Sequence, residues 1–430
     1  MASDPSGAKG SSPTQEAAEL AQTAAQYLAS GRRAVAELYA WSAVETDPRT
    51  GAAWKLLAQL ALELKRPERA AAWRRRAVAL QPGDAQAAAL LRAAETQAPA
   101  PAPAGARYLL VREWSAGFWS DVDHALGMCL LAEITGRIPL VWWGAQSRFA
   151  PAGAGNAWEQ FFAPVSDAVL RDLEALRLRV YPRKWQGRPL TAAIRQRWTG
   201  EGSRLVGLEL LDRDEEIVVS DFHTGLKALL PWLPASHPLA GAALPDAYRS
   251  LARKYLRPRP DIVAEADRFA AAHFGNRPVL GVHVRGSDKV EEVGALEGVL
   301  AAYFKLLEER LAGRHEMRIF LLTDDTRVRA FYEQRYGARL IVTTCTRSSS
   351  NVGVHYLKHP DRARIGVEVM VDTLLAARCT EFIGLGYSNV SLYASYLKAW
   401  PPGSCVLLEA NAHDVWNAFV LLMDAPPGAE

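Results

Sequence analysis

From Pro278 onward the chain alternates short apolar runs with longer helical spacings, and that alternation leaves few folds open. The apolar runs lie at 279–284, 318–322, 340–343, 381–384 and 404–408, and helical spacings fill 296–312, 326–336, 363–378 and 388–399. Apolar strands separated by helices belong to parallel sheets covered on both faces. A shorter alternation of the same kind stands upstream. RYLLVR at 107–112 reads as a strand, Phe118–Thr135 as a helix closed by Gly136, and 138–143 as the next strand. The pattern predicts an α/β chain with two Rossmann-like, doubly wound sheet domains facing each other across a cleft. The stretch from about 150 to 275, with scattered Trp and short helical runs, gives no clear pattern.

Composition marks the boundaries. Residues 1–16 are small and polar and are expected to be disordered. Residues 17–96 are rich in Ala and Leu at helical spacing. Within them Asp47-Pro48 is echoed by Gln81-Pro82, with the prolines 34 residues apart. The period and the closing proline resemble tetratricopeptide repeats, against the plainer reading of a generic helical bundle. Two such units cannot bury their faces alone, so this all-α segment is expected to lean on the sheet domains, a second subunit or a protein partner. The alternating Pro and Ala of 97–106 form a semi-stiff linker. The first sheet domain is then assigned to 107–275 and the second to 276–430.

The 50 Lys and Arg nearly balance the 47 Asp and Glu, which argues against a nucleic-acid coat or a polybasic membrane patch. The four Cys, at 129, 345, 379 and 405, show no CxxC spacing, so neither structural zinc nor a redox pair is expected. No apolar run is long enough for a membrane span, and the first residues lack the apolar core of a signal peptide. A cytoplasmic protein is the expectation.

Candidate chemistry collects where strands end. In PVLGVHVRGSDKVEE, 278–292, side chains alternate along the strand, so Val282 and Val284 face one way and His283 and Arg285 the other. Both polar residues lie at the carboxyl end, which in open parallel sheets opens on the ligand crevice. Arg is suited to forking onto phosphate oxygens; a structural pair with Asp288 is the plainer alternative. FLLTDD ends a strand in Asp324 and Asp325, either of which reads equally as a helix N-cap. Asp372 sits in an apolar helical stretch, where a carboxylate needs a partner, and Glu368 four residues earlier shares its face. A solvated stripe competes with a role for Asp372 in accepting from a bound base or orienting His283. Gly384, Gly386, Ser388 and Asn389 occupy a strand-to-helix turn where backbone N–H groups could meet an anion, and Ser388 also reads as a plain cap. Gly117 opens the first helix after its strand and either cradles substrate or caps. No GxSxG, HExxH or metal-ligating constellation is present, so no metal is expected.

Several of these segments, in order, resemble the α1,6-fucosyltransferase family, which includes the rhizobial nodulation enzymes and the animal core fucosyltransferases. His283-Val284-Arg285-Gly286-Ser287-Asp288-Lys289 is similar to its donor motif, Thr323-Asp324-Asp325 to its second, and Val369–Ala376 with Gly386-Tyr387-Ser388-Asn389-Val390 to its third. Gly353-Val354-His355, Gly117–Trp143 and Trp158-Glu159-Gln160-Phe161-Phe162 also fit. The resemblance spans about 107–410 and omits the helical segment. It departs at Gly286, where the family carries a second Arg. The resemblance implies a GT-B-type fold and an inverting, metal-independent transfer of L-fucose from GDP-fucose to a glycan or protein acceptor, with no cofactor beyond the donor. It implies Arg285, aided by Ser388, at the leaving phosphate, with Asn389 among the donor-binding residues. His283 and Asp372 would hold the guanine, and Asp288, Lys289 and Gly117 would line the donor site. Asp324 and Asp325 would order the site or offset positive charge on the sugar, and Glu292 would be the acceptor's base. Another GDP-sugar transferase, or an inactive transferase-like adaptor, are the competing functions.

Overall fold

The computed structural model describes residues 12–92, 105–286 and 296–408, apart from 64–66, 86, 90, 154, 177, 194–209, 212 and 222. Three of the expected site residues, Asp288, Lys289 and Glu292, lie outside the described residues, as do the first eleven residues and most of the Pro/Ala linker.

The N-terminal segment is helical and includes α1 (Pro13–Ala29), α2 (Arg33–Thr46), α3 (Gly51–Glu63) and α4 (Pro67–Leu80). They form two hairpins, α1 on α2 and α3 on α4. Gly31, at φ +76°, makes the first turn in a conformation that favours glycine. Trp41 is the centre, meeting Trp54 and Trp73 edge-on at 5.9 and 5.5 Å. Trp54 also meets Trp232 of the following domain edge-on at 5.4 Å, and the Arg76 guanidinium lies 4.3 Å over the Trp232 ring. The helical segment thus leans on the first sheet domain and shares one continuous apolar core with it.

Two parallel sheets follow. The first has the order β2-β1-β4-β3, built from β1 (Tyr108–Arg112), β2 (Ile138–Trp142), β3 (Val180–Tyr181) and β4 (Ile217–Ser220). β3 and β4 come from the stretch whose pattern could not be read. Helix α5 (Phe118–Thr135) crosses from β1 to β2 and ends as expected at Gly136, φ +63°, whose N–H bonds back to Ala132 and Glu133 carbonyls. Helices α6 (Leu244–Tyr255) and α7 (Pro260–His273) then lead to the second sheet.

That sheet has the order β7-β6-β5-β8-β9, from β5 (Val279–His283), β6 (Arg318–Leu322), β7 (Leu340–Ile341), β8 (Glu381–Leu385) and β9 (Cys405–Leu408). Its helices are α8 (Leu296–Leu311), α9 (Thr326–Tyr336), α10 (Arg362–Arg378) and α11 (Asn389–Tyr396). Asp325 caps α9 by accepting from Arg327 N–H at 2.7 Å, and Asp361 caps α10 by accepting from Arg364 N–H at 3.0 Å. The expected helix 388–399 stops at Tyr396, ahead of the Pro401-Pro402 turn.

Helices are traded between the sheets. α7, numbered with the first domain, packs on α10 of the second, where Glu265 takes both Arg364 terminal nitrogens at 2.6 and 2.8 Å. In return α11 packs on α5 and α6. Tyr393 stacks on Trp119 at 4.4 Å, and Tyr396 on Tyr248 at 4.1 Å. Beside them α10 and the Trp158–Phe162 turn meet across Gly366. A Cβ there would stand 2.6 Å from Phe161 Cε1, so only glycine allows this approach. Among the described residues no helix is long and apolar enough to cross a membrane, and no cluster of metal-ligating side chains occurs.

Candidate active site at the sheet edges

β5 is the centre of the second sheet and its carboxyl end carries the first group of residues. His283 is buried, with Nδ1 2.6 Å from Ser391 Oγ on α11. That oxygen also accepts from the Leu385 N–H at 2.9 Å, so β5, β8 and α11 are joined at one point. Burial, and then the Arg285 charge, push the His283 imidazole down to about 3, so it is neutral. Its orienting partner is Ser391, not Asp372 as one sequence reading had it.

Arg285 follows two residues on, where the strand has ended. Its Nε lies 3.8 Å from Asp324 Oδ2, and the Gly286 N–H donates to Asp324 Oδ1 at 3.2 Å. Asp324 therefore braces both the side chain and the backbone after β5. Gly286 has a local reason to be glycine. A Cβ would stand 2.9 Å from Val328 Cγ2 and 3.0 Å from Asp325 Cβ, so the space that a second Arg would need is filled by α9.

Asp325 has its oxygens committed. Burial works against its charge, but the Arg327 guanidinium, 2.5 Å away, and the Arg327 N–H more than offset it and hold the carboxyl below its usual range. It orders the turn into α9, which is the capping alternative that the sequence left open.

Asp372 is on α10 and buried. Thr343 Oγ1 donates to it at 2.7 Å, and burial pushes its carboxyl up to about 6. Glu368, on the same face, accepts from Thr346 N–H at 2.8 Å. The two acids thus hold the segment after β7 from one helix, on the opposite side of β5 from Ser391.

The strand next to β5 on its other side is β8, and the turn after it carries Ser388. Its Oγ is fully buried at the N-terminus of α11 and has no hydrogen-bond partner among the described residues; no side chain caps that helix. Asn389 is the first residue of α11 and half-buried. A buried donor left open at a positive helix end is suited to an anion.

The first sheet contributes the turn after β1. Gly117 stands at the N-cap of α5, and a Cβ there would meet open space. Asp121 folds back to accept from Ser115 N–H at 3.2 Å and Ala116 N–H at 3.0 Å, and burial pushes its carboxyl up to about 7. Ser115 takes φ +60° to make this turn.

Sequence reasoning missed the group around Asp123. His223 Nε2 is 2.7 Å from Asp123 Oδ2, while the Tyr248 and Tyr393 hydroxyls donate to Oδ1 at 2.6 and 3.2 Å. These residues come from α5, the loop after β4, α6 and α11. Only a polar Asp-His pair inside an apolar helix, and a polar run after the IVVS strand, signal it in the sequence.

A groove of about 800 Å³ elsewhere, between α1 and α3, is lined by Thr14, Asp47, Arg49 and Lys55. It belongs to the helical segment and is not formed by the sheet edges.

No family model matches the sequence, and no curated protein matches it. Among solved structures, the chain is similar to the NodZ alpha-1,6-fucosyltransferase co-crystallized with GDP, at 19% identity over 69% of this chain and 93% of that one, with a TM-score of 0.48. It is similar to the fucosyltransferase NodZ from Bradyrhizobium at 19% identity over 73% and 99%, with a TM-score of 0.49. It is also similar to a mutant of Arabidopsis thaliana FUT1 in complex with GDP, at 11% identity over 79% and 77%, with a TM-score of 0.43.

Proposed function

We propose that the chain is an inverting glycosyltransferase that moves L-fucose from GDP-fucose to a hydroxyl of a glycan or protein acceptor without a metal ion. One observation carries the reading. Arg285, braced by Asp324, and the Ser388 Oγ at the head of α11, which has no hydrogen-bond partner among the described residues, stand at the carboxyl ends of neighbouring strands β5 and β8. As the bond from sugar to phosphate breaks, negative charge grows on the β-phosphate, and fixed donors placed beforehand stabilise it. Arg285 supplies the charge, and Ser388 with the α11 N-terminus supplies hydrogen bonds. Asp324 and Asp325 keep the two loops in place. The neutral His283 at the end of β5 and Asp372 on α10 offer a ring and an acceptor to the base and ribose. The order of the family-like motifs supports guanine and fucose over other donors.

The helical segment takes no part in this chemistry and serves acceptor or partner binding. Calorimetric titration with GDP, UDP and ADP, followed by GDP release from GDP-fucose, GDP-mannose and GDP alone as blank, tests the reading. Tight GDP binding with turnover of GDP-fucose is expected. Absence of GDP binding, or equal binding of UDP, refutes it.

A further inference from the structure

We propose that His223 is the general base that takes the proton from the attacking hydroxyl, with Asp123 as its positioning residue. The inference rests on the transferase reading above and assigns the base to the first sheet domain.

The fold builds the pair deliberately. β4 ends at Ser220, next to Val111 near the end of β1, and His223 lies three residues further on, at the crevice edge of the sheet. α5 leaves the same edge, with Asp123 in its second turn. Small residues bring the two together. A Cβ at Gly127, one turn on, would stand 1.9 Å from the Thr224 carbonyl oxygen, and a Cβ at Gly225 would stand 3.2 Å from Asp123 Oδ2. The helix therefore lies directly on the 223–225 loop, which sets the 2.7 Å contact.

The tautomer follows from the partner. A carboxylate only accepts, so Nε2 carries the proton and donates it, leaving the lone pair of the neutral ring on Nδ1. Among the described residues nothing bonds Nδ1, and the His223 side chain keeps 24% of its surface exposed. Asp123 cannot swing away, because the Tyr248 and Tyr393 hydroxyls hold its other oxygen. The titratable groups packed around the pair are Asp121 and His124 on α5, Tyr248 on α6, and Tyr393 and Tyr396 on α11. His124 is pushed down to about 3 by burial and then by His223 itself, so it adds no charge. α11 links the pair to the donor side: Tyr393 bonds Asp123, and Ser391 on the same helix bonds His283, two residues before Arg285.

In the step, the acceptor O–H proton passes to Nδ1 and the oxygen lone pair forms the bond to the sugar's anomeric carbon. The bond from that carbon to the β-phosphate oxygen breaks, and its electrons leave on GDP, where Arg285 meets them. Asp123 stabilises the imidazolium formed.

The test uses the full chain, GDP-fucose, and water as nucleophile, with GDP release as readout and GDP affinity measured in parallel. His223→Gln should keep GDP affinity and the KM for donor while kcat falls about 100-fold or more. The rise of kcat with pH in the wild type should vanish in the variant. Added imidazole should restore part of the turnover of His223→Ala, which a purely structural role would not allow. Asp123→Asn should lower kcat and distort the same pH limb. His223→Gln with kcat within about three-fold of wild type and an unchanged pH profile, against the 100-fold expected of a lost base, overturns the proposal. If the wild type neither binds GDP nor releases it from GDP-fucose, the transferase reading falls, and the base with it.

Discussion

Asp372→Asn should make the free protein more stable and a poorer GDP binder, and the first effect should depend on pH. Burial raises the Asp372 carboxyl from 3.8 to about 6 despite the Thr343 hydroxyl and the Arg347 charge. The folded carboxyl holds its proton more tightly than the unfolded one. Between about 3.8 and about 6 the folded state therefore binds more protons, so stability falls as pH rises through that window and stays low above it. The full shift corresponds to an upper limit of about 3 kcal/mol. Asn keeps a carbonyl to accept from Thr343 and carries no charge to desolvate. Allowing for an imperfectly paired amide, the gain at pH 8 should be about 1–3 kcal/mol, shrinking below about 1 kcal/mol at pH 4. Urea unfolding of wild type and variant at both pH values measures it. A variant no more stable than wild type at pH 8, or a gap of equal size at pH 4, refutes the argument from burial. In the same preparations GDP should bind about 5- to 150-fold more weakly, the loss of a charged hydrogen bond. Unchanged affinity would leave Asp372 only the task of fastening the segment after β7.

Arg285→Ala should lower turnover of GDP-fucose by about 100-fold or more with a smaller effect on GDP affinity, because the charge it meets grows during the reaction. Arg285→Lys should be nearly as damaging, since Lys lacks the planar fork; steady-state kinetics of both decide it. Gly366→Ala drives a methyl into Phe161, which is wedged against Phe118 at 4.9 Å, and should cost about 1–3 kcal/mol, read as a lowered Tm. Deleting residues 1–100 should leave GDP affinity within a few-fold but lower Tm, because Trp232 loses Trp54 and Arg76; a truncated protein that folds yet cannot bind GDP would contradict this separation.

The second sheet was legible because its inner strands β5, β6 and β8 are buried on both faces and are therefore continuous apolar runs, bounded by polar ends. Arg318–Leu322 and Thr326–Tyr336 fall where the spacing puts them. β7 is cut to Leu340–Ile341, because beyond it the chain turns away to be held by Asp372 and Glu368. β3 has only two residues, too few for any periodicity, and β4 only four. Strand-end reasoning found His283 and Arg285 because polar side chains interrupt an apolar run. It found neither Ser391 nor the Asp123–His223 contact. Those depend on which helix lies on which loop over a separation of 100 residues or more, and small side chains such as Gly127 and Gly225 decide that silently.

Helix α11 has eight residues and fastens both sheets. A hinged enzyme shields its reaction by swinging one lobe over the other. Here such a swing must first part Tyr393 from Trp119, Tyr396 from Tyr248 and a tyrosine hydroxyl from Asp123. At about 0.5–1.5 kcal/mol for each ring pair and about 1.5–3 kcal/mol for the bond to a charge, that resistance amounts to several kcal/mol. A ligand would expend much of its binding energy against it. With the Glu265–Arg364 pair and the Gly366–Phe161 approach beside it, α11 thus opposes such a swing, and small rotations of this two-turn helix couple the crevice end of one sheet to the other.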